Sequence, residues 1–295
     1  MRRYGGSIFF IIILLLLTCA KGTPESATEE PQSEISLQAS REPLIIHASV
    51  AGTFYPAEPD KLKQEIGTYL KSAEIPHIDG ELIGAVVPHA GYRYSGPVAA
   101  YAYKAVAENV QKTGKGLDAI FLLAFSHKAA SPHVSVLPHG YMETPLGRVR
   151  VHEAIAQKLL ASREHFSYVE RAFVGEHSAE VQLPFLQTLF PDVPIVPLIF
   201  GRQNGDDVEV VAGALASVAE THRILVIATT DLSHYHPYEK ATALDSETLD
   251  VLLAGEPLQM AAFIGRHPDR MCGPAPVLAA LMHAENQDAK PVLLK

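Results

Sequence analysis

Four stretches of the chain run without a charged or polar side chain: Leu82 to Val87, Ala119 to Phe125, Ile195 to Phe200 and Ile224 to Ala228. They are short and mostly rich in β-branched residues, which suits strands covered on both faces. Elsewhere, Pro97 to Asn109, Glu153 to Ala161, Ala179 to Phe190 and Val208 to Glu220 repeat apolar positions every three or four residues, the period of an amphipathic helix. Strand followed by helix, repeated, predicts an α/β architecture: a mixed, mostly parallel central sheet with helices on both faces. In such sheets ligands bind at the carboxyl ends of strands. The residues just after each apolar run therefore carry most of the functional interest.

The beginning of the chain follows a different pattern. Arg2 and Arg3 precede an unbroken apolar run from Ile8 to Leu17, with Cys19 just beyond it. The run is about half of the roughly 20 residues that a membrane-spanning helix needs, so residues 1–20 read as an export signal. Three modes are open: acylation at Cys19 as in a bacterial lipoprotein, cleavage without a lipid, and an uncleaved anchor. All place the body of the protein outside the cytosol, periplasmic or extracellular, with membrane contact only through this segment. Residues 21–44 are mostly Thr, Glu, Ser, Gln and Pro and read as a disordered linker. Residues 45–295 are expected to form one domain.

Composition narrows the field. The chain is 47% hydrophobic and 19% charged, enough apolar material for a large core. Twenty-four basic residues against 33 acidic ones give a net charge of −9 and no electrostatic reason to bind nucleic acid. Two cysteines, Cys19 and Cys272, make neither a disulfide framework nor a C-x-x-C zinc or redox motif. Fourteen histidines are the oddity that directs attention to imidazole chemistry.

Three of the apolar runs end in histidine-bearing segments: Pro88-His89-Ala90-Gly91-Tyr92, Ser126-His127 and Thr230-Asp231-Leu232-Ser233-His234. Two further candidates are Glu176-His177-Ser178-Ala179-Glu180, with Ser178 as helix N-cap, and Cys272, just before an apolar helical stretch. Each has a plainer reading. A strand-end histidine often serves loop backbone groups, a lone cysteine packs as a small hydrophobe, and Glu176 and Glu180 suit a solvated first helical turn. His77, His133, His139, His222, His236, His267 and His283 are taken as surface or loop residues. Against these stands coincidence, because the architecture brings several imidazoles, a carboxylate and a thiol to one rim. Imidazole with thiolate suits iron, copper or zinc. Ser126, Ser178 and Ser233 each adjoin a histidine, but no G-x-S-x-G elbow is present, and neither is a glycine-rich phosphate loop.

In these segments the chain resembles the Memo family, known in prokaryotes as AmmeMemoRadiSam system protein B. The likeness begins at Ala48 to Pro56, continues through Pro88 to Gly96, and resumes at Ser126-His127 and Thr144 to Gly147. It then takes in Glu176 to Glu180 with Leu183-Pro184, Asp231 to His234, and Cys272-Gly273. The resemblance implies a fold like that of class III extradiol dioxygenases and a metal held by His89, His127 and Cys272. It places Asp231 and His234 as further pocket residues and His177 in the same cavity; the leading hypothesis adds an acid/base role for His234 with Asp231. Those dioxygenases hold ferrous iron with two histidines and a glutamate. Cys272 in the third position is softer and oxidisable, which favours Fe(II) or Cu binding, with Zn as a further option, as the firmer expectation. Family members usually continue past the position of Lys295 through another strand. The leading expectation is an oxygen-using or redox metalloprotein; the alternatives are a module that binds a peptide or small ligand without turnover, and a metallohydrolase.

Overall fold

The computed structural model describes residues 42–128, 131–203 and 205–295. The expected signal, Cys19 and most of the linker lie outside these residues. The described elements, in chain order, are β1 (Ile45–Ile46), α1 (Pro59–Ser72), β2 (Gly84–Val87), α2 (Tyr92–Thr113), β3 (Ala119–Phe125), β4 (Val134–Val136), β5 (Tyr141–Thr144), β6 (Gly147–Arg150), α3 (Glu153–Leu160), β7 (Phe166–Ser167), α4 (His177–Glu180), α5 (Leu183–Leu189), β8 (Ile195–Phe200), α6 (Gly205–Ala219), β9 (Ile224–Thr229), α7 (Tyr238–Leu253), α8 (Pro257–Arg266) and α9 (Pro274–Asn286).

Six strands form the central sheet in the order β2-β9-β3-β8-β4-β7. All neighbours pair parallel except β4 with β8. The sheet is thus mixed and mostly parallel, as the alternation of runs and periodic segments predicts. Every residue of β3, β8 and β9 is buried, because these strands lie inside the sheet with helices over them. The run at Leu82–Val87 behaves differently. It ends as β2, one of the two strands at the ends of the sheet, and only Val87 of its four residues is buried. One helical layer contains α1, α2 and α5, which pack on each other; a second contains α6, α8 and α9, with α9 against β2, β3 and β9. A small separate sheet joins β1 parallel to β5 and β5 antiparallel to β6, where Gly147 takes φ +115° in the hairpin turn.

Two helical segments differ most from the expected boundaries, while α6 starts three residues before the expected Val208. The segment taken as Pro97 to Asn109 is part of a longer helix that starts at Tyr92, where Gly91 O accepts the Tyr94 and Ser95 N–H groups. Pro97 lies inside that helix, so it marks no boundary. The segment Ala179 to Phe190 is two helices, broken where Pro184 at the start of α5 cannot donate to an earlier carbonyl. No helix among the described residues is long and apolar enough to cross a membrane.

Candidate metal centre

Parallel pairing of β2, β9 and β3 carries the chain out of the sheet three times at the same end, so the segments after these strands meet. His89 follows β2, His127 follows β3, and Asp231 and His234 follow β9. His177 opens α4, and Cys272 precedes α9. One ligand atom from each of His89, His127 and His177 lies within 4.8 Å of the others. The rings of His127 and His177 stack at 4.3 Å, and His89 meets both edge-on at 5.4 and 5.6 Å. Cys272 Sγ stands 3.2 Å from His89 Nε2 and within hydrogen-bonding reach of His127. The structure therefore gathers His89, His127, His177 and Cys272 into one cluster.

Two of the imidazoles, His89 and His127, are aimed by buried partners. His89, 1% exposed, contacts Thr229 Oγ1 through Nδ1 at 2.9 Å. Gln182 donates to that hydroxyl and to Pro88 O, and accepts from Tyr103 OH. His127 Nδ1 donates to Glu176 Oε1 at 2.9 Å, while Glu176 Oε2 accepts the His127 backbone N–H at 2.6 Å. Both Nε2 atoms are left for the cluster. An imidazole tied through one nitrogen by a carboxylate or hydroxyl and free at the other is the usual state of a histidine ligand, and a neighbouring thiolate adds a softer donor. This donor set fits a transition metal.

Asp231 was expected to work as an acid or base with His234, and the structure gives its carboxylate another task as well. Asp231 Oδ1 accepts the backbone N–H groups of His89 and Ala90 at 2.7 and 3.2 Å. Its Oδ2 lies 3.9 Å from both His89 Nε2 and His234 Nε2. His234 is partly exposed, on the solvent side of the cluster. Asp231 N–H donates to Cys272 Sγ at 3.2 Å, and Cys272 N–H returns a bond to Asp231 O. Behind it, Gly273 permits close packing. A Cβ there would lie 2.8 Å from the Phe125 ring and 3.0 Å from Thr229 O.

Three plain readings of the sequence need correction. Ser178 is not the cap of its helix: Glu176 occupies that position and accepts the Ser178 N–H, while Ser178 Oγ donates to Phe125 O. Glu176 and Glu180 are not solvated, each being 3% exposed. Glu180 accepts from Ser49 N and Oγ, Val50 N and Tyr55 OH, and so anchors the Ala48–Pro56 segment. That segment sets Phe54 against His177 at 4.8 Å. His283 is not at the surface but buried in α9.

The charges in the cluster are coupled. Burial alone would lower the His127 imidazole and raise the Glu176 carboxyl; hydrogen bonds to Cys272 and then Glu176 reverse the first, and the bond from His127 with the Ser178 and His127 backbone N–H groups reverses the second. His127 is raised to about 9 and Glu176 is lowered to about 2. Burial opposes the Cys272 thiolate, yet bonds from His127 and His89 hold the thiol at about 6. His177 goes the other way, down to about 4, through burial and then the charge on His127. These shifts favour a carboxylate–imidazolium–thiolate chain at neutral pH beside a neutral imidazole at His177.

Residues 47–294 match the family model described as Memo-like protein. Among curated proteins, a MEMO1 family protein of Sulfurisphaera tokodaii is 34% identical over 266 residues, 85% of this chain and 92% of that protein. One from Pyrobaculum arsenaticum is 35% identical over 80% of this chain and 85% of its own length, and one from Desulfurococcus amylolyticus 35% identical over 83% and 89%.

Proposed function

The chain belongs to the Memo-like family, and on that premise we propose that it is a redox-type metalloprotein holding Fe(II) or Cu through His89, His127 and Cys272. The observation that carries this reading is the cluster itself. Two imidazoles tied at Nδ1 by Thr229 and Glu176 present Nε2 toward a thiol 3.2 Å from one of them. Bound iron or copper supplies one-electron redox chemistry and Lewis acidity at that point.

The other residues divide the remaining work. Phe54 and Phe125 pack against His177 and His127 and keep water from one side of the cluster. His177 lines the pocket as an uncharged imidazole whose basicity burial and the neighbouring His127 charge suppress, which suits a further metal donor better than a general base. In this reading His234, on the open side with Asp231 Oδ2 3.9 Å away, exchanges protons with a small-molecule or peptide ligand. With the apolar run Ile8–Leu17 as an export signal, this chemistry would take place outside the cytosol.

Metal analysis of protein from its native compartment, followed by anaerobic Fe(II) reconstitution and oxygen uptake on a catechol panel, tests the reading. His89→Ala, His127→Ala and Cys272→Ala should each reduce bound metal by about tenfold or more. Stoichiometric metal in Cys272→Ala would move the site to the three histidines. Full metal occupancy without oxygen uptake would favour a ligand-binding module, and hydrolytic turnover with zinc would favour a metallohydrolase.

A further inference from the structure

In the layer where α1, α2 and α5 pack together, three tyrosines stand around a fourth. Tyr92 of α2 lies within electrostatic reach of Tyr55, Tyr69 and Tyr103. Tyr55, Tyr92 and Tyr103 are buried, and Tyr69 on α1 is half-buried. Their hydroxyls end on different acceptors. Tyr92 OH donates to Val181 O and Tyr103 OH to Gln182 Oε1, and neither acceptor can keep a proton. Tyr55 OH donates to Glu180 Oε1 and Tyr69 OH to Glu65 Oε1, both at 2.5 Å, the short bond of a hydroxyl to a carboxylate. An amide or carbonyl would hold a phenol in place at a lower desolvation cost. A carboxylate adds the capacity to take the proton itself.

The rings connect these two phenol–carboxylate pairs. Tyr55 and Tyr92 have centroids 5.5 Å apart, within direct aromatic contact. Tyr69 meets the same face of α2 one turn further on, at Gly96, where a Cβ would lie 2.5 Å from its ring. At the inner end, Tyr55 follows Phe54, whose ring lies 4.8 Å from that of His177, and Glu180 is one helical turn from His177 on α4. At the outer end, Tyr69 and Glu65 are partly open to solvent. Burial and the adjoining carboxylates raise the pKa of both phenols, so each keeps its proton at neutral pH.

On the redox reading of the cluster, we propose that Tyr55, Tyr92 and Tyr69 form an electron route from the metal centre to the surface of α1, with Glu180 and Glu65 as proton acceptors. A one-electron oxidant at the cluster takes an electron from Tyr55. Loss of the electron makes the phenol a strong acid, and its proton passes to Glu180 Oε1, leaving a neutral tyrosyl radical beside a protonated carboxyl. An electron from Tyr69 then crosses the Tyr92 ring to Tyr55, which recovers its proton from Glu180 while Tyr69 gives its own to Glu65. A one-electron reductant in solution restores Tyr69, whose proton returns from Glu65. The net change is one electron moved from reductant to oxidant, with every proton back in place.

Photo-oxidation tests this route without a metal. The full chain is illuminated with a ruthenium tris-bipyridyl complex and persulfate, frozen, and examined by electron paramagnetic resonance. Exposed tyrosines such as Tyr94 and Tyr235 give a background common to all variants. Oxidation from solution enters at Tyr69 and is expected to leave a long-lived tyrosyl signal above that background. Tyr69→Phe and Tyr55→Phe should each reduce it several-fold. Glu65→Gln, at a half-buried position that tolerates the exchange, should do the same because the proton has no acceptor. Tyr168→Phe, at a half-buried tyrosine outside the route, should keep the full signal. Equal signals from the native chain, Tyr55→Phe and Tyr69→Phe would overturn the proposal, as would a loss in Tyr168→Phe as large as that in Tyr55→Phe. These outcomes are separate from the reading of the cluster, which fails instead where the native protein binds neither iron nor copper.

Discussion

Replacing Glu176 by glutamine keeps the shape of the side chain and removes its charge. In the native chain Oε2 accepts His127 N–H at 2.6 Å, and Oε1 accepts Ser178 N–H and His127 Nδ1–H, both at 2.9 Å. A carboxamide has one acceptor oxygen, so at least one of these donors must face an NH2 group. An unmet buried donor costs about 1–3 kcal/mol. A second route gives a similar figure. The carboxyl is held at about 2 against an ordinary 4.5, which at about 1.4 kcal/mol per unit corresponds to roughly 3 kcal/mol. The part of the His127 rise that comes from Glu176 is the same attraction seen from its partner and counts once; the larger part comes from Cys272 and is untouched by the substitution. The expected loss is therefore about 2–4 kcal/mol at pH 7.

The pH dependence has a definite sign. A carboxyl whose folded-state pKa is lowered contributes its full stabilisation above about 4.5, and that contribution disappears as the pH falls through about 2. Urea unfolding of native protein and Glu176→Gln should show the full difference at pH 7 and about half of it by pH 3. Metal affinity of the variant should fall roughly 10- to 100-fold, because His127 loses the group that orients it. A variant as stable as the native chain at pH 7, with unchanged metal affinity, would refute the reasoning.

Other expectations follow from the same geometry. Metal uptake should release a proton at pH 7.5, displaced from His127 at about 9, and a second below about 6 as the Cys272 thiol becomes protonated; calorimetry in two buffers of different ionisation enthalpy counts them, and a count of zero at pH 7.5 contradicts the assignment. His234→Gln should keep metal content and reduce turnover by roughly 10²–10⁴-fold. Metal loss equal to that of His89→Ala would make His234 a ligand. Gly273→Ala forces a Cβ to within 2.8 Å of the Phe125 ring, so it should cost about 1–3 kcal/mol in thermal or urea unfolding and loosen Cys272; a variant of native stability and metal affinity would show that this loop yields freely.

The hydrophobic pattern made the centre of the sheet legible because β3, β8 and β9 are buried on both faces, where a continuous apolar run has only one use. It said less at the margins. The strands β1, β4 and β7 have two or three residues each and leave no period to detect. Histidines at three strand ends were legible as candidates, since parallel topology sends those ends to one rim. Their aiming groups were not. Thr229 reads as the last residue of an apolar strand, and Gln182 reads as one more position in an amphipathic segment; only the fold brings both to His89. Glu176 and Glu180 match the composition of a helix start and its usual solvation, and the segment that buries Glu180 lies 130 residues away in sequence.

That arrangement bears on how a metal would be selected. Donors held by flexible side chains must be ordered by the ion, and the ion's preferences then shape the site. Here each donor is held by groups of the protein itself. His89 is aimed through Thr229, Gln182 and Tyr103, which span β9 and α2, and His127 through a carboxylate at the start of α4. Cys272 is fixed by paired bonds to Asp231, whose other oxygen contacts lock the loop behind His89. The three donors thus share a frame made of the central strands and both helical layers, and moving one displaces the others' supports. In such a frame affinity is set chiefly by donor type and protonation. The soft thiolate and two imidazoles favour copper, zinc and iron over magnesium or calcium whatever the solution supplies, and the carboxylate behind His127 makes the exchange of a proton for an ion part of binding.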